Sequence, residues 1–279
     1  MSLLGAAEIR ELAKNLDLKP SKSLGQNFVI DANVCRKIVR TAGVISSDIA
    51  LEIGPGLGSL TLAMMEEAQS VIAVEIDSRL AHQLPITVSS HSDHPEKLTV
   101  INQDALTISN LESQPTVLVA NLPYNVSVPV FLHLLEVLPT LRSGVVMVQA
   151  EVADRLAAKP NTKEYGIPSV KAAWWAEVKG AGSVSRSIFW PSPNVDSKLV
   201  SFTRRATPGD EDLRKKVFSI IDLAFAQRRK MLRSALSSMY GGSGAAEIVL
   251  SAAGIDPTLR GEALDIGDFC KIAAHGLES

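Results

Sequence analysis

The chain of 279 residues has only two cysteines, Cys35 and Cys270, far apart in sequence. They supply neither a disulfide framework nor a thiolate metal cluster, which fits a reducing compartment and an expected cytoplasmic location. No apolar run approaches the ~20 residues that span a bilayer. The opening MSLLGAAEIRELAKNL carries acids and no long apolar block, so no signal peptide is expected. Internal repeats and low-complexity tracts are missing. So is the GxSxG turn of a serine nucleophile. His91 and His94 have no third ligand nearby, so no metal site is expected. Neither sign of charge prevails: 28 Lys and Arg face 30 Asp and Glu, a net charge of −2. That argues against a uniformly basic nucleic-acid coat and leaves room for a local basic face.

What is present is apolar material, 46% of the residues against 21% charged. This suits one large domain, or one of about 200 residues with a small appendage. Residues 186–240 hold eleven Lys and Arg against five Asp and Glu, so the rest of the chain is acidic. The basic groups are Arg204-Arg205, Arg214-Lys215-Lys216 and Arg228-Arg229-Lys230 with Arg233. A smaller set lies at Lys19, Lys22, Arg36, Lys37 and Arg40. Each could be a solvated helix face; together they suggest an anion-binding surface.

Short Val- and Ile-rich runs predict strands at 49–53, 71–76, 98–102, 117–120, 144–150, 174–179 and 198–203, with helical stretches between the early ones. Runs without clean alternation suit strands buried on both faces, and strand–helix alternation suits a parallel sheet covered on both sides. Past the turn Thr207-Pro208-Gly209-Asp210 the pattern is helical, over 212–240, 245–253 and 266–274. The expected division is therefore 1–206, an α/β unit, and 207–279, a small helical unit.

Gly54-Pro55-Gly56-Leu57-Gly58 follows the first strand and opens a helix, so backbone can pass close to a ligand there. Glu75 ends the next strand, at the spacing of an acid that accepts hydrogen bonds from ribose hydroxyls. The third glycine comes one residue early for a dinucleotide, and Pro55 removes an N–H that a pyrophosphate would use. A phosphate-free cofactor such as S-adenosyl-L-methionine fits better. Asp104, past the third strand, can accept from the adenine amino group or simply cap a helix. Asn121-Leu122-Pro123-Tyr124 follows the fourth strand. The Asn121 side-chain oxygen and the Leu122 carbonyl can accept the two hydrogens of an exocyclic amine and free its lone pair. Tyr124 can stack on an extruded base.

These segments, with Lys22-Ser23-Leu24-Gly25-Gln26-Asn27-Phe28, Gln103-Asp104-Ala105 and Phe189-Trp190-Pro191-Ser192-Pro193, resemble the ribosomal RNA adenine N6-dimethyltransferases over about residues 20–205. The resemblance is strongest to the bacterial small-subunit branch. It implies a SAM-dependent methyltransferase (Rossmann-like) fold of seven strands, the last antiparallel. It implies SAM as cofactor and dimethylation of two adjacent adenosines in a hairpin near the 3′ end of small-subunit rRNA, within the 30S particle or its precursor. By the same resemblance Asn27 and Val29 line the cofactor entrance, Gly54 approaches the methionine part, and Phe189 faces Tyr124 across the target base. Val29 departs from the family's usual Leu, and the lesser alternative for Phe189 is a core aromatic before the Pro-x-Pro turn. Arg228, Arg229, Lys230 and Arg233 are expected to contact RNA, with the protein a monomer and no membrane or metal partner. Rival readings are a large-subunit dimethyltransferase of the macrolide-resistance type, a non-enzymatic assembly factor of the same fold, and a nicotinamide dehydrogenase. Intact Gly54, Glu75 and Asn121 argue against the second, and the glycine spacing against the third.

Overall fold

The computed structural model describes residues 2–18 and 27–276. Lys19 and Lys22, with most of the 22–28 motif, lie outside the described residues. The chain forms two compact units: residues 1–153 with 179–204, and residues 154–178 with 205–279.

The first unit is built on a seven-stranded sheet. In chain order the strands are β1 (Phe28–Val29), β2 (Ile49–Ile53), β3 (Ser70–Glu75), β4 (Leu98–Asn102), β5 (Val117–Asn121), β6 (Ser143–Gln149), β7 (Ala176–Val184), β8 (Phe189–Trp190) and β9 (Ser197–Arg204). The large sheet has the order β4-β3-β2-β5-β6-β9-β7, while β1 and β8 form a small antiparallel pair. Strands β2 to β6 run parallel, and β9 lies antiparallel to β6. β2, β3, β5 and β6 are buried almost throughout, because helices cover both faces of a parallel sheet. Gly144 shows how tightly they pack: a Cβ there would lie 2.2 Å from the Leu118 carbonyl oxygen of the neighbouring strand.

The helices of this unit are α1 (Ala6–Asn15), α2 (Ala32–Ala42), α3 (Ser59–Met65), α4 (Ser78–His91) and α5 (Ser127–Val137). Their ends are written in the sequence. Asp31 caps α2 by accepting from the Asn33 and Val34 amides at 2.9 and 3.1 Å, and Gly43 ends it in the left-handed region at φ 66°. Strand order reverses between β2 and β5, so the carboxyl ends of β2, β3 and β5 open onto a crevice, the usual ligand position in an open α/β sheet.

The later helices are α6 (Ala150–Leu156), α7 (Ile167–Ala172), α8 (Glu211–Ala226), α9 (Leu232–Ala235), α10 (Ser237–Tyr240), α11 (Ser243–Ala252) and α12 (Ile266–His275). The expected single helix over 212–240 is corrected: α8 ends at Ala226, and α9 and α10 follow after a turn. Leu232 N–H bonds the distant Leu259 carbonyl at 2.7 Å, and Lys230 N–H closes the turn on Gln227. The expected boundary needs a second crossing, because 154–178 belong with the helices. Trp174 and Trp175, expected in a strand, lie before β7 and meet Phe218 of α8 edge-on at 6.2 and 5.5 Å. Arg214 stacks over both Trp175 and Phe218.

Candidate functional site: a cavity at the carboxyl ends of β2, β3 and β5

One cavity brings together Asn27, Val29, Gly54, Glu75, Asp104 and Asn121, residues spread over nearly a hundred positions. The glycine turn forms its floor. Gly54 and Gly56 have φ of 69° and 58°, and a Cβ on Gly56 would approach the Phe28 ring to 2.9 Å. The turn's amides are spent within the protein. Gly54 N–H donates to the Val74 carbonyl at 2.9 Å, Gly56 N–H to Glu75 Oε2 at 3.2 Å, and Gly58 N–H to the Pro55 carbonyl at 3.0 Å. With Pro55 lacking an N–H, and the three glycine amides engaged inside the protein, the turn is poorly suited to cradle a pyrophosphate, which weighs against the dinucleotide reading.

Glu75 is 5% exposed, and its second oxygen accepts from the Asp77 amide at 3.0 Å. Burial pushes its carboxyl above the ordinary range, against the pull of these amides. Two backbone bonds leave acceptor capacity toward the cavity, which suits a ribose diol. Asp104 lines the cavity and also caps a short 3₁₀ turn, accepting from Leu106 N–H at 2.9 Å. The cap anticipated for it is therefore present, on a residue that also faces the cavity.

Asn121 ends β5. Its Nδ2 donates to the Asn27 carbonyl at 3.1 Å, which turns Oδ1 the other way. That oxygen is buried and has no hydrogen-bond partner among the described residues. A buried acceptor left open costs on the order of 1–3 kcal/mol, and a ligand N–H removes that cost. The orphaned oxygen and a turn whose glycine amides are engaged together fit a phosphate-free nucleoside cofactor beside an amine-bearing substrate.

Leu122, Tyr124 and Phe189 do not line this cavity. Leu122 is buried, with its N–H on the Met147 carbonyl at 3.1 Å. The half-buried Tyr124 bonds its hydroxyl to Ser197 Oγ at 2.7 Å, which holds the ring in place. Phe189 is 3% exposed within the hydrophobic core, the alternative position anticipated for it. Its position follows from the β1–β8 pairing, which sets it opposite Val29. Glu52 was not singled out by sequence reasoning, although it begins the glycine segment; it lines the cavity and is 1% exposed.

The basic groups divide sharply. Arg204 donates to the carbonyls of Leu135, Leu138 and Leu141, and Arg205 to that of Ala173. Arg228 binds Glu262 at 2.8 Å and the Lys163 carbonyl at 2.7 Å, while Arg233 binds Glu247 at 3.0 Å. Arg229 and Lys230 are exposed and make no ion pair among the described residues. His91 lies between Glu8 and the Thr87 carbonyl, each at 2.9 Å, and His94 bonds Glu96.

A seven-stranded sheet with an antiparallel strand beyond β6, and a glycine turn and a buried acid at its switch point, is the arrangement of a SAM-dependent methyltransferase. The ribosomal RNA adenine dimethylase model matches residues 18–275, and the chain belongs to that family. It is 58% identical over 277 residues to ribosomal RNA small subunit methyltransferase A of Leifsonia xyli subsp. xyli, covering 99% of each chain. It is 56% identical to the protein of the same name from Thermobifida fusca, covering 98% of this chain and 96% of that one. Among solved structures, a dimethyladenosine transferase from Plasmodium falciparum aligns with a TM-score of 0.73 at 24% identity, over 88% of this chain and 95% of that one. The 23S rRNA methyltransferase ErmE aligns with a TM-score of 0.67 at 26% identity, over 89% and 99%.

Proposed function

We propose that this enzyme uses S-adenosyl-L-methionine to dimethylate N6 of two adjacent adenosines in a hairpin near the 3′ end of small-subunit ribosomal RNA, acting in the cytoplasm as a monomer on the 30S particle or its precursor. The observation that carries the reaction class is the buried, unpartnered Oδ1 of Asn121 beside Glu75 in one cavity. The small-subunit choice is supported by near-full-length identity to relatives named for that subunit.

When bound, SAM supplies a methyl group already activated by its sulfonium. The chain's own task is to position and to polarise. Glu75 accepts from the ribose hydroxyls, Asp104 from the adenine amine, and Asn27, Val29 and Gly54 shape the wall. Asn121 Oδ1 accepts one N6 hydrogen of the target and the Leu122 carbonyl the other, which withdraws the nitrogen lone pair from the ring. The Tyr124 ring, held by Ser197, offers a stacking face. Asn121 is an amide with no useful basicity, so the amine proton leaves to water. Arg229 and Lys230 of the helical unit take phosphates, whereas Arg228 and Arg233 serve mainly to hold that unit together.

Radiolabelled methyl transfer tests this directly. Undermethylated small subunits should accept four methyl groups per particle, two on each of the two adenosines, while large subunits and naked RNA accept few. Preferential labelling of large subunits would overturn the assignment.

A further inference from the structure

The cavity contains Glu52, Glu75 and Asp104, and no Lys, Arg or His among its described lining residues. Glu52 is the most deeply placed. It is the penultimate residue of β2, is 1% exposed, and accepts from the Thr61 hydroxyl of α3 at 2.5 Å. Burial raises its carboxyl to about 8, and the neighbouring Glu75 charge adds to the rise. The charged and titratable groups around it give no relief. β3 presents Glu75, with Asp77 just beyond. α2 presents the Cys35 thiol, itself pushed up to about 12 by burial and by Glu52. Arg36, the residue after Cys35 on α2, is engaged by both Glu66 oxygens at 2.7 Å. A buried carboxylate without a counter-ion is costly, so Glu52 holds a proton at neutral pH.

The methyl donor carries one more positive charge, at sulfur, than the thioether left after transfer. We propose that Glu52 releases its proton to solvent when the cationic methyl donor enters this cavity, and that the carboxylate so formed makes the site hold the donor more tightly than the thioether product. The proposal rests on the reading that this cavity is the methyl-donor site. Methyl transfer removes the cation from the cavity, Glu52 takes a proton back from water, and the product loses its charge partner. An enzyme that must exchange its cofactor between successive methylations of one substrate gains from such a bias. Glu52 acts here as a positioning residue, through charge rather than through contact with the reacting amine.

Titration calorimetry of the full chain at pH 7, in phosphate and in Tris, reads the proton directly. Binding of SAM should release close to one proton and binding of S-adenosylhomocysteine far less. SAM affinity should rise by up to about tenfold per pH unit below pH 8 and then level off. This comparison needs no variant. Glu52→Gln keeps an acceptor for Thr61 and mimics the neutral carboxyl, so it should fold, abolish the release and bring the two affinities together. Asp104→Asn should keep the release. Equal release with both ligands, or release that persists in Glu52→Gln, would overturn the role of Glu52. Failure of the wild-type protein to bind either ligand would overturn the site itself, and the proposal with it.

Discussion

The two units treat charge in opposite ways. Around the cavity of the sheet unit the titratable groups are acids, and the buried pair Glu52 and Glu75 have hydroxyl and amide donors but no cation among the described residues. In the helical unit the notable charges are arginines, and Arg214, Arg228 and Arg233 each have a carboxylate. A buried charge without a partner is expensive, so it persists where a ligand completes it. An exposed ion pair is worth about 0–1 kcal/mol, so it says little about binding. Charge density alone is thus a poor guide to a ligand surface. Being uncompensated is the better one, and it selects the cavity in one unit and Arg229 with Lys230 in the other.

The sharpest way to break this contrast is Asn121→Ala. Loss of one preorganised polar group at a reacting centre typically costs about 10²–10³ in turnover. We expect that loss in single-turnover methyl transfer, with SAM affinity by calorimetry nearly unchanged; near-normal turnover in a folded variant would remove Asn121 from the chemistry. Glu75→Ala should act on the other quantity. Deleting a charged acceptor costs about 1.5–3 kcal/mol, so SAM affinity should fall roughly ten- to a hundred-fold. In the helical unit, Arg229→Gln with Lys230→Gln should flatten the slope of log RNA affinity on log salt by up to about two units while SAM binding holds. Arg228→Gln should instead lower the melting temperature, because it releases Glu262 and the Lys163 carbonyl. If Arg228→Gln flattened the salt slope as strongly, internal pairing would not separate structural from RNA-binding arginines.

The smallest effect concerns the half-exposed pair of the sheet unit. Arg36 holds the Glu66 carboxyl below its ordinary value of 4.5. A depressed acid stabilises the fold above its unfolded pKa and ceases to as pH falls through the folded one. Arg36→Gln should therefore cost about 0–1 kcal/mol at pH 7 and less by pH 3, measured by urea denaturation.

Much of the sheet and cavity was legible in the sequence because both rest on local rules. A strand end, a glycine turn and an acid at the next strand end need no distant partner to be recognised, and Asn27, Val29, Gly54, Glu75, Asp104 and Asn121 all line one cavity. What was not legible depended on long-range pairing. The core position of Phe189 follows from β8 pairing with a strand about 160 residues earlier. The break after Ala226 leaves a clear mark only in part: the apolar residues run to Ala226 and Gln227-Arg228-Arg229-Lys230 follow, but the bond that redirects the chain goes to Leu259. The grouping of 154–178 with the helices depends on Phe218 receiving two tryptophans across some forty residues. Glu262 and Glu247, which occupy Arg228 and Arg233, were likewise invisible as partners.

The hydrogen bond from Asn121 Nδ2 to the Asn27 carbonyl has one more consequence. A carboxamide has two unlike ends, a carboxylate two like ones. A main-chain carbonyl can only accept, so it works as a valve on side-chain identity: it passes the amide in one orientation and repels an acid in both. Aspartate, nearly the same shape and a far better base, is thereby shut out of position 121 by an oxygen that never meets the substrate.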